Sequence, residues 1–234
     1  MADHAELQEQ VFQGNLELVR AGLVVLTFGN VSGVDRGENV LAIKPSGVPY
    51  EELRPEAIVV VDLEKGDVVA GQRPSSDTAT HAVLYRRFEA LGGIVHTHSR
   101  FATAWAQAGR DLPCFGTTHA DHFRGSVPVT RALAADEIRG DYEEQTGNVI
   151  VETFESRELD PLETPAALVA SHGPFAWGID VAQAVENATA LETVAELALY
   201  TLVLKAETSA LGDDLLERHF TRKHGPNAYY GQPR

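Results

Sequence analysis

The sequence predicts an α/β domain built on an antiparallel sheet. Three observations carry that expectation. The chain has 234 residues without a Pro/Gly/Ser-rich linker, which suits a single domain over 1–234 with a full core. Short apolar runs rich in Val and Ile follow one another through turn residues, the signature of antiparallel strands. Longer stretches with apolar residues at helical spacing separate them.

Composition narrows the partners. A formal net charge of −15 and a pI near 4.9 disfavour non-specific binding to nucleic acid and to anionic membranes. An anionic substrate would therefore need a local positive or amide-rich pocket. Cys114 is the one cysteine, so no intrachain disulfide is expected, and between Pro113 and Phe115 it reads as small apolar filler. The lack of a signal-like segment or long apolar run gives the cytoplasm as the expected compartment.

In chain order, residues 4–21 place Leu7, Val11, Leu16 and Val19 on a helix that Gly22 ends. Val24–Thr27 reads as a strand and Val40–Ile43 as a second. Ile58–Leu63 and Asp67–Ala70 flank Glu64-Lys65-Gly66 as a hairpin. Leu84, Phe88 and Leu91 lie at helical spacing after Pro74-Ser75-Ser76-Asp77-Thr78. Ser75, Ser76 and Asp77 either cap this helix or leave its amides for an anion.

Gly92–Ser99 reads Gly-Gly-Ile-Val-His-Thr-His-Ser, a short buried strand. The two-residue period sends His96 and His98 from one face about 7 Å apart at Cα. Such a pair is either two satisfied polar residues or half of a metal site. Phe101–Ala108 reads as a helix stopped by Gly109, and Thr117–Asp121 as a polar loop dense in proton-transfer groups. Ala135–Gln145 reads as an acidic helix with a solvated face. Val149–Phe154 and Ala167–Ala170 read as strands, the second leading into Ser171-His172-Gly173-Pro174. Asp180 caps a long core helix running to about Lys205.

Three strand-end histidines, His96, His98 and His172, match an open catalytic zinc site, with Asp77 as a fourth ligand or a supporting carboxylate. Lys44, Ser46 and Gly47 in Lys-Pro-Ser-Gly offer a cation, a hydroxyl and an amide to a phosphate.

Seven motifs, in order, give the chain a resemblance. They are Gly29-Asn30-Val31-Ser32, Lys44-Pro45-Ser46-Gly47, Pro74–Thr78, His96-Thr97-His98-Ser99, Thr117–Asp121, His172-Gly173-Pro174 and Tyr229-Tyr230-Gly231. Together they resemble the class II sugar-phosphate aldolase/epimerase family over almost the whole length. The resemblance implies a single α/β/α domain with a central, mostly antiparallel sheet, in a homotetramer with active sites between subunits. It implies one Zn²⁺ per subunit, other divalent metals also being admissible, on His96, His98 and His172 with Asp77 as an additional carboxylate. It implies a phosphate site on Ser46, Gly47, Ser75 and Ser76, with Asn30 and Lys44 in the same pocket. Asp121 and Tyr230 fall on the acid/base pair, and Thr117, His219 and Arg222 on positions that complete the site from a neighbouring subunit.

Aldolases of the family place glutamate where this chain has Asp77, so the resemblance is to the epimerase branch. The reaction implied interconverts L-ribulose 5-phosphate and D-xylulose 5-phosphate by breaking and re-forming C3–C4. Rival expectations are an aldolase that releases the aldehyde, an epimerase for L-xylulose 5-phosphate, a zinc hydrolase, and a non-enzymatic structural zinc protein. A closed structural site normally uses cysteines and four protein donors, which this chain lacks.

Overall fold

A computed structural model describes residues 4–224, 228 and 229. The strands are β1 (Asn30–Asp35), β2 (Val40–Ile43), β3 (Val59–Asp62), β4 (Val68–Ala70), β5 (Gly93–His96), β6 (Ala166–Leu168) and β7 (Pro174–Gly178). They form one sheet in the order β4-β3-β2-β1-β5-β7-β6, each neighbouring pair antiparallel. An isolated parallel bridge joins Val129 to Leu168. The helices are α1 (Ala5–Arg20), α2 (Thr78–Arg87), α3 (Arg100–Ala108), α4 (Thr117–Ala120), α5 (Ala135–Arg139), α6 (Tyr142–Ser156), α7 (Val181–Leu204) and α8 (Asp213–His224).

The apolar runs in β2, β3 and β5 are continuous because both faces of the sheet are covered. Alternate side chains then enter different cores. Val40, Ala42, Val60, Val95 and Ala176 pack with residues of α1, α3 and α7. Leu41, Ile43, Val59, Val61, Ile94 and Trp177 pack with residues of α2 and α6. The two cores share one sheet, which makes the α/β/α layering that the resemblance implied. Gly92 and Gly93 let the start of α7 lie on β5. A Cβ at Gly92 would stand 2.0 Å from the Ile179 carbonyl oxygen, and one at Gly93 2.6 Å from that of Asp180.

Several predicted elements hold their place. The β3–β4 hairpin turns through Gly66 at φ +75°, Gly109 closes α3 in the left-handed region, and the Asp180 carboxylate accepts from the Gln183 amide at 2.7 Å. Others need correction. Val24–Thr27 is a tight turn closed by a Val25–Phe28 bridge, with Leu26 at φ +57°, and the strand starts at Asn30. Asn30 is the first residue with a partner across β5, His96. The β-branched run Val149-Ile150-Val151 belongs to α6, not to a strand. Packing overrides propensity there: Ile150, Val151 and Phe154 reach the core at helical spacing, and Gly147 lets α6 approach Val83 of α2. The helix expected over Ala135–Gln145 is interrupted at Gly140 and divided between α5 and α6. Thr117–Ala120 is a helical turn rather than a loop, and β7 and α8 were not anticipated.

Candidate active site

The start of β1, the end of β2, the end of β5 and the start of β7 meet at one end of the sheet. His96 closes β5, His98 follows it, and His172 sits in the turn that opens β7. Gly173 lets that turn press on the His-x-His backbone, since a Cβ there would stand 2.8 Å from the Thr97 carbonyl oxygen. The three rings lie 4.8 to 5.1 Å apart between centroids, and one ligand nitrogen from each falls within 4.8 Å of the others. His96 is buried, His172 half-buried and His98 exposed, so the trio opens towards solvent.

His96 is held in one tautomer. Its Nδ1–H donates to the Pro174 carbonyl at 3.0 Å, because a carbonyl can only accept, and Nε2 is left for a ligand. Its ring stacks on Phe175 at 4.2 Å. The Tyr142 hydroxyl lies 3.4 Å from His172 Nδ1. Burial pushes the His96 pKa down, and burial with the neighbouring imidazoles takes His172 to about 4. Both are neutral at pH 7, the form that binds metal. An all-imidazole trio with an open side fits zinc or a similar divalent ion.

Asp77 lies outside this trio. Its carboxylate accepts from Asn30 Nδ2 at 2.6 Å and from Ser75 Oγ at 3.4 Å. Burial would raise its pKa, but His96, His81 and the Asn30 amide together hold it below the usual carboxylate range. It places no side-chain cap on α2, which leaves the capping expectation unmet. Paired backbone bonds, Ser46 N–H to the Arg73 carbonyl and Ser75 N–H to the Lys44 carbonyl, both 3.0 Å, fasten the Lys-Pro-Ser-Gly loop to the segment before α2.

These loops and the histidines enclose a cavity of about 400 Å³. Asn30, Lys44, Ser46, Gly47, Ser75, Ser76, Asp77, His96, His98 and His172 all line it. Lys44 is 2% exposed, burial lowers its pKa, and it makes no ion pair among the described residues. The buried Asn30 Oδ1 also lacks a partner among the described residues. A buried cation without a carboxylate is costly unless an anion arrives.

Thr117, Asp121, His219 and Arg222 do not line this cavity. They gather where α4 meets α8. Arg222 donates to both Asp121 oxygens at 2.9 and 2.6 Å, and His219 Nδ1 lies 3.0 Å from Oδ1. Burial works against the Asp121 charge, but Arg222 and His219 outweigh it and hold the carboxyl below its ordinary range. Tyr230 lies outside the described residues.

Sequence reasoning missed Phe28, Tyr142 and Glu143, which also line the cavity. Tyr142 and Glu143 were hidden in a segment read as a solvated acidic face. It also missed His81, one turn after Asp77 on α2. His81 Nδ1 lies 2.7 Å from Ser32 Oγ, which reaches the Tyr85 hydroxyl at 2.8 Å, and burial takes its pKa to about 3. The i, i+4 spacing of 77, 81 and 85 was the available signal.

Residues 9–199 match the family model of the class II aldolase and adducin N-terminal domain. The chain belongs to this family. Curated relatives include an L-ribulose-5-phosphate 4-epimerase UlaF of Salmonella paratyphi C (strain RKS4594), 53% identical over 227 residues, 97% of this chain and 99% of the relative. Another of the same name, from Salmonella typhi, is 54% identical over 228 residues, with the same coverage. Among solved structures, an L-fuculose 1-phosphate aldolase superposes with TM-score 0.77 at 25% identity, over 94% of this chain and 96% of that one. The L-fuculose-1-phosphate aldolase of Thermus thermophilus gives TM-score 0.65 at 26% identity, over 88% and 100%. In this class II aldolase fold, the three-histidine cavity lies at the sheet end.

Proposed function

We propose that the chain is a zinc-dependent epimerase that interconverts L-ribulose 5-phosphate and D-xylulose 5-phosphate. One observation supports this above the others: a single cavity holds a trio of imidazoles and a buried lysine with no ion pair among the described residues. The first suits a divalent cation and the second a phosphate, so the cavity matches a phosphorylated sugar whose carbonyl and hydroxyl face a metal. The names of the relatives supply the substrate.

Lys44, Ser46, Gly47, Ser75 and Ser76 would take the phosphate, and Asn30 would use its open carbonyl for a donor. His96, His98 and His172 would hold the metal, with Asp77 as a further ligand or the group that orients Asn30. Bound metal supplies Lewis acidity that lowers the cost of negative charge on the C2 and C3 oxygens. A base takes the C4 hydroxyl proton, and the electrons of the C3–C4 bond remain on the C3 fragment. Glycolaldehyde phosphate and the enediolate of dihydroxyacetone result. The aldehyde rotates and is attacked on its other face, and its oxygen regains a proton. Two acid/base groups flanking C4 are required. Tyr230 and Asp121 are our candidates. Asp121, Thr117, His219 and Arg222 are absent from the cavity of their own chain, so they would act at the cavity of a neighbouring copy in a homotetramer. We place the enzyme in the cytoplasm; among the described residues no helix is long and apolar enough to cross a membrane.

The test is to incubate zinc-loaded protein with L-ribulose 5-phosphate and follow D-xylulose 5-phosphate, with a chelator control. Chelator-sensitive conversion without free glycolaldehyde phosphate is expected. Accumulating aldehyde would move the chain to the aldolase branch.

A further inference from the structure

Tyr50 carries no motif and lies outside the lining of the cavity. It is nevertheless 5% exposed, in a short 3-10 turn over Tyr50–Glu52, and it touches two parts of the site from behind. The Lys44 ammonium lies 4.7 Å from its ring centroid. Its hydroxyl donates to the Gly29 carbonyl at 2.8 Å, immediately before Asn30 opens β1. Burial raises the Tyr50 pKa, so the phenol remains a donor.

A buried ammonium needs electron density nearby if it is to stay charged. A carboxylate would provide most, but it would also neutralise the site and repel an incoming phosphate. An aromatic face provides some without carrying net charge. Lys44 Nζ donates to the Val48 carbonyl at 2.7 Å and approaches that of Pro45 at 3.5 Å. With three donors in all, the ammonium keeps hydrogen-bonding capacity for the cavity it lines. We infer that Tyr50 is a positioning residue for the anion pocket: its ring face holds the Lys44 ammonium charged and its hydroxyl fixes the Gly29–Asn30 turn. This rests on reading the cavity as a phosphate site.

The experiment uses the full-length protein and inorganic phosphate as the probe, measured by calorimetry and as a competitive inhibitor. Position 50 is changed from Tyr to Phe, then to mono-, di- and trifluorinated phenylalanines, which keep the shape of the ring while draining its face of electron density. Phosphate affinity should fall stepwise along the fluorinated series, by between about twofold and thirtyfold in all. KM for the sugar phosphate should rise in step, with a much smaller change in kcat. A flat series, with phosphate binding to the unsubstituted protein, would overturn the inference alone. So would kcat falling in parallel with affinity, which marks a general packing role. No phosphate binding by the unsubstituted protein would overturn the phosphate-site reading, and this inference with it.

Discussion

The end of the sheet and the α4–α8 junction hold similar residue types in opposite conditions. At the sheet end, valences are open among the described residues: His96 keeps Nε2 for a ligand, Lys44 has no carboxylate, and Asn30 Oδ1 has no partner. At the junction, Asp121 is closed on itself by two bonds from Arg222 and one from His219. Open polar groups in a buried place cost stability, and they persist where ligands satisfy them. A carboxylate already neutralised by a guanidinium is a poor base as it stands. The first region is ready to bind. On the proposed acid/base role for Asp121, the second would need a substrate, or another copy of the chain, to loosen its ion pair before it could move a proton.

The largest expected effect breaks the open region. His98→Asn should cut kcat on the order of a thousandfold, the several kcal/mol that a Lewis acid supplies, and should release bound zinc on dialysis. Thermal stability of the metal-free protein should hardly change, because His98 is exposed. Unchanged kcat would remove His98 from the ligand set.

Lys44→Met should weaken inorganic phosphate by about tenfold to a hundredfold, the range for a hydrogen bond to a charged group, while zinc affinity holds. Equal losses of zinc and phosphate would deny that the cavity has separable cation and anion ends.

The junction can be sharpened by pH. His119 is buried there, its Nε2 2.8 Å from the Gly125 carbonyl, and burial takes its pKa to about 4. Unfolded, the imidazole would take a proton below about pH 6.5, whereas folded it does not until about 4, so acid favours unfolding across that window. Between pH 6.5 and 5 the group should cost roughly 2 kcal/mol. Urea denaturation of His119→Gln should therefore slope less with pH than that of the parent. Asp121 is shifted in the same direction, downward, but for a carboxylate this has the opposite consequence for stability. Its pairing stabilises above the unfolded carboxylate pKa and is lost only as pH falls below about 4 towards the depressed folded value. Parallel slopes above pH 5 would exclude His119 as the cause.

The smallest effect is the ion pair itself. A double-mutant cycle on Asp121→Asn and Arg222→Met should give a coupling of about 1 kcal/mol in stability, typical of a pair that water still reaches. A far larger coupling would show the junction to be a structural strut instead of a reserve of catalytic groups.

Much of the open region was legible because its information is local. His96 and His98 are two residues apart at a strand end, and Lys44–Gly47 and Ser75–Asp77 are contiguous motifs. One failure came where long-range burial overrode local preference: Val149–Val151 has strand chemistry and folds as helix against the sheet. Another is an exposed turn, Val24–Leu26, which has strand chemistry but pairs with no strand. Tyr50 and Tyr142 were invisible because nothing around them in the chain marks what they touch, and His81 was marked only by its i, i+4 spacing from Asp77 and Tyr85.

The sequence by itself determined which candidate donors are present and the period that aims His96 and His98, since these follow from covalent spacing and side-chain chemistry. Tertiary structure alone decided that His172 joins His96 across β5 and β7, that Lys44 is buried without an anion, and that Asp121 turns to Arg222 instead of the cavity. Those outcomes depend on which surfaces exclude water together, and residues 78 to 101 positions apart settle that only once the sheet and its helices have packed.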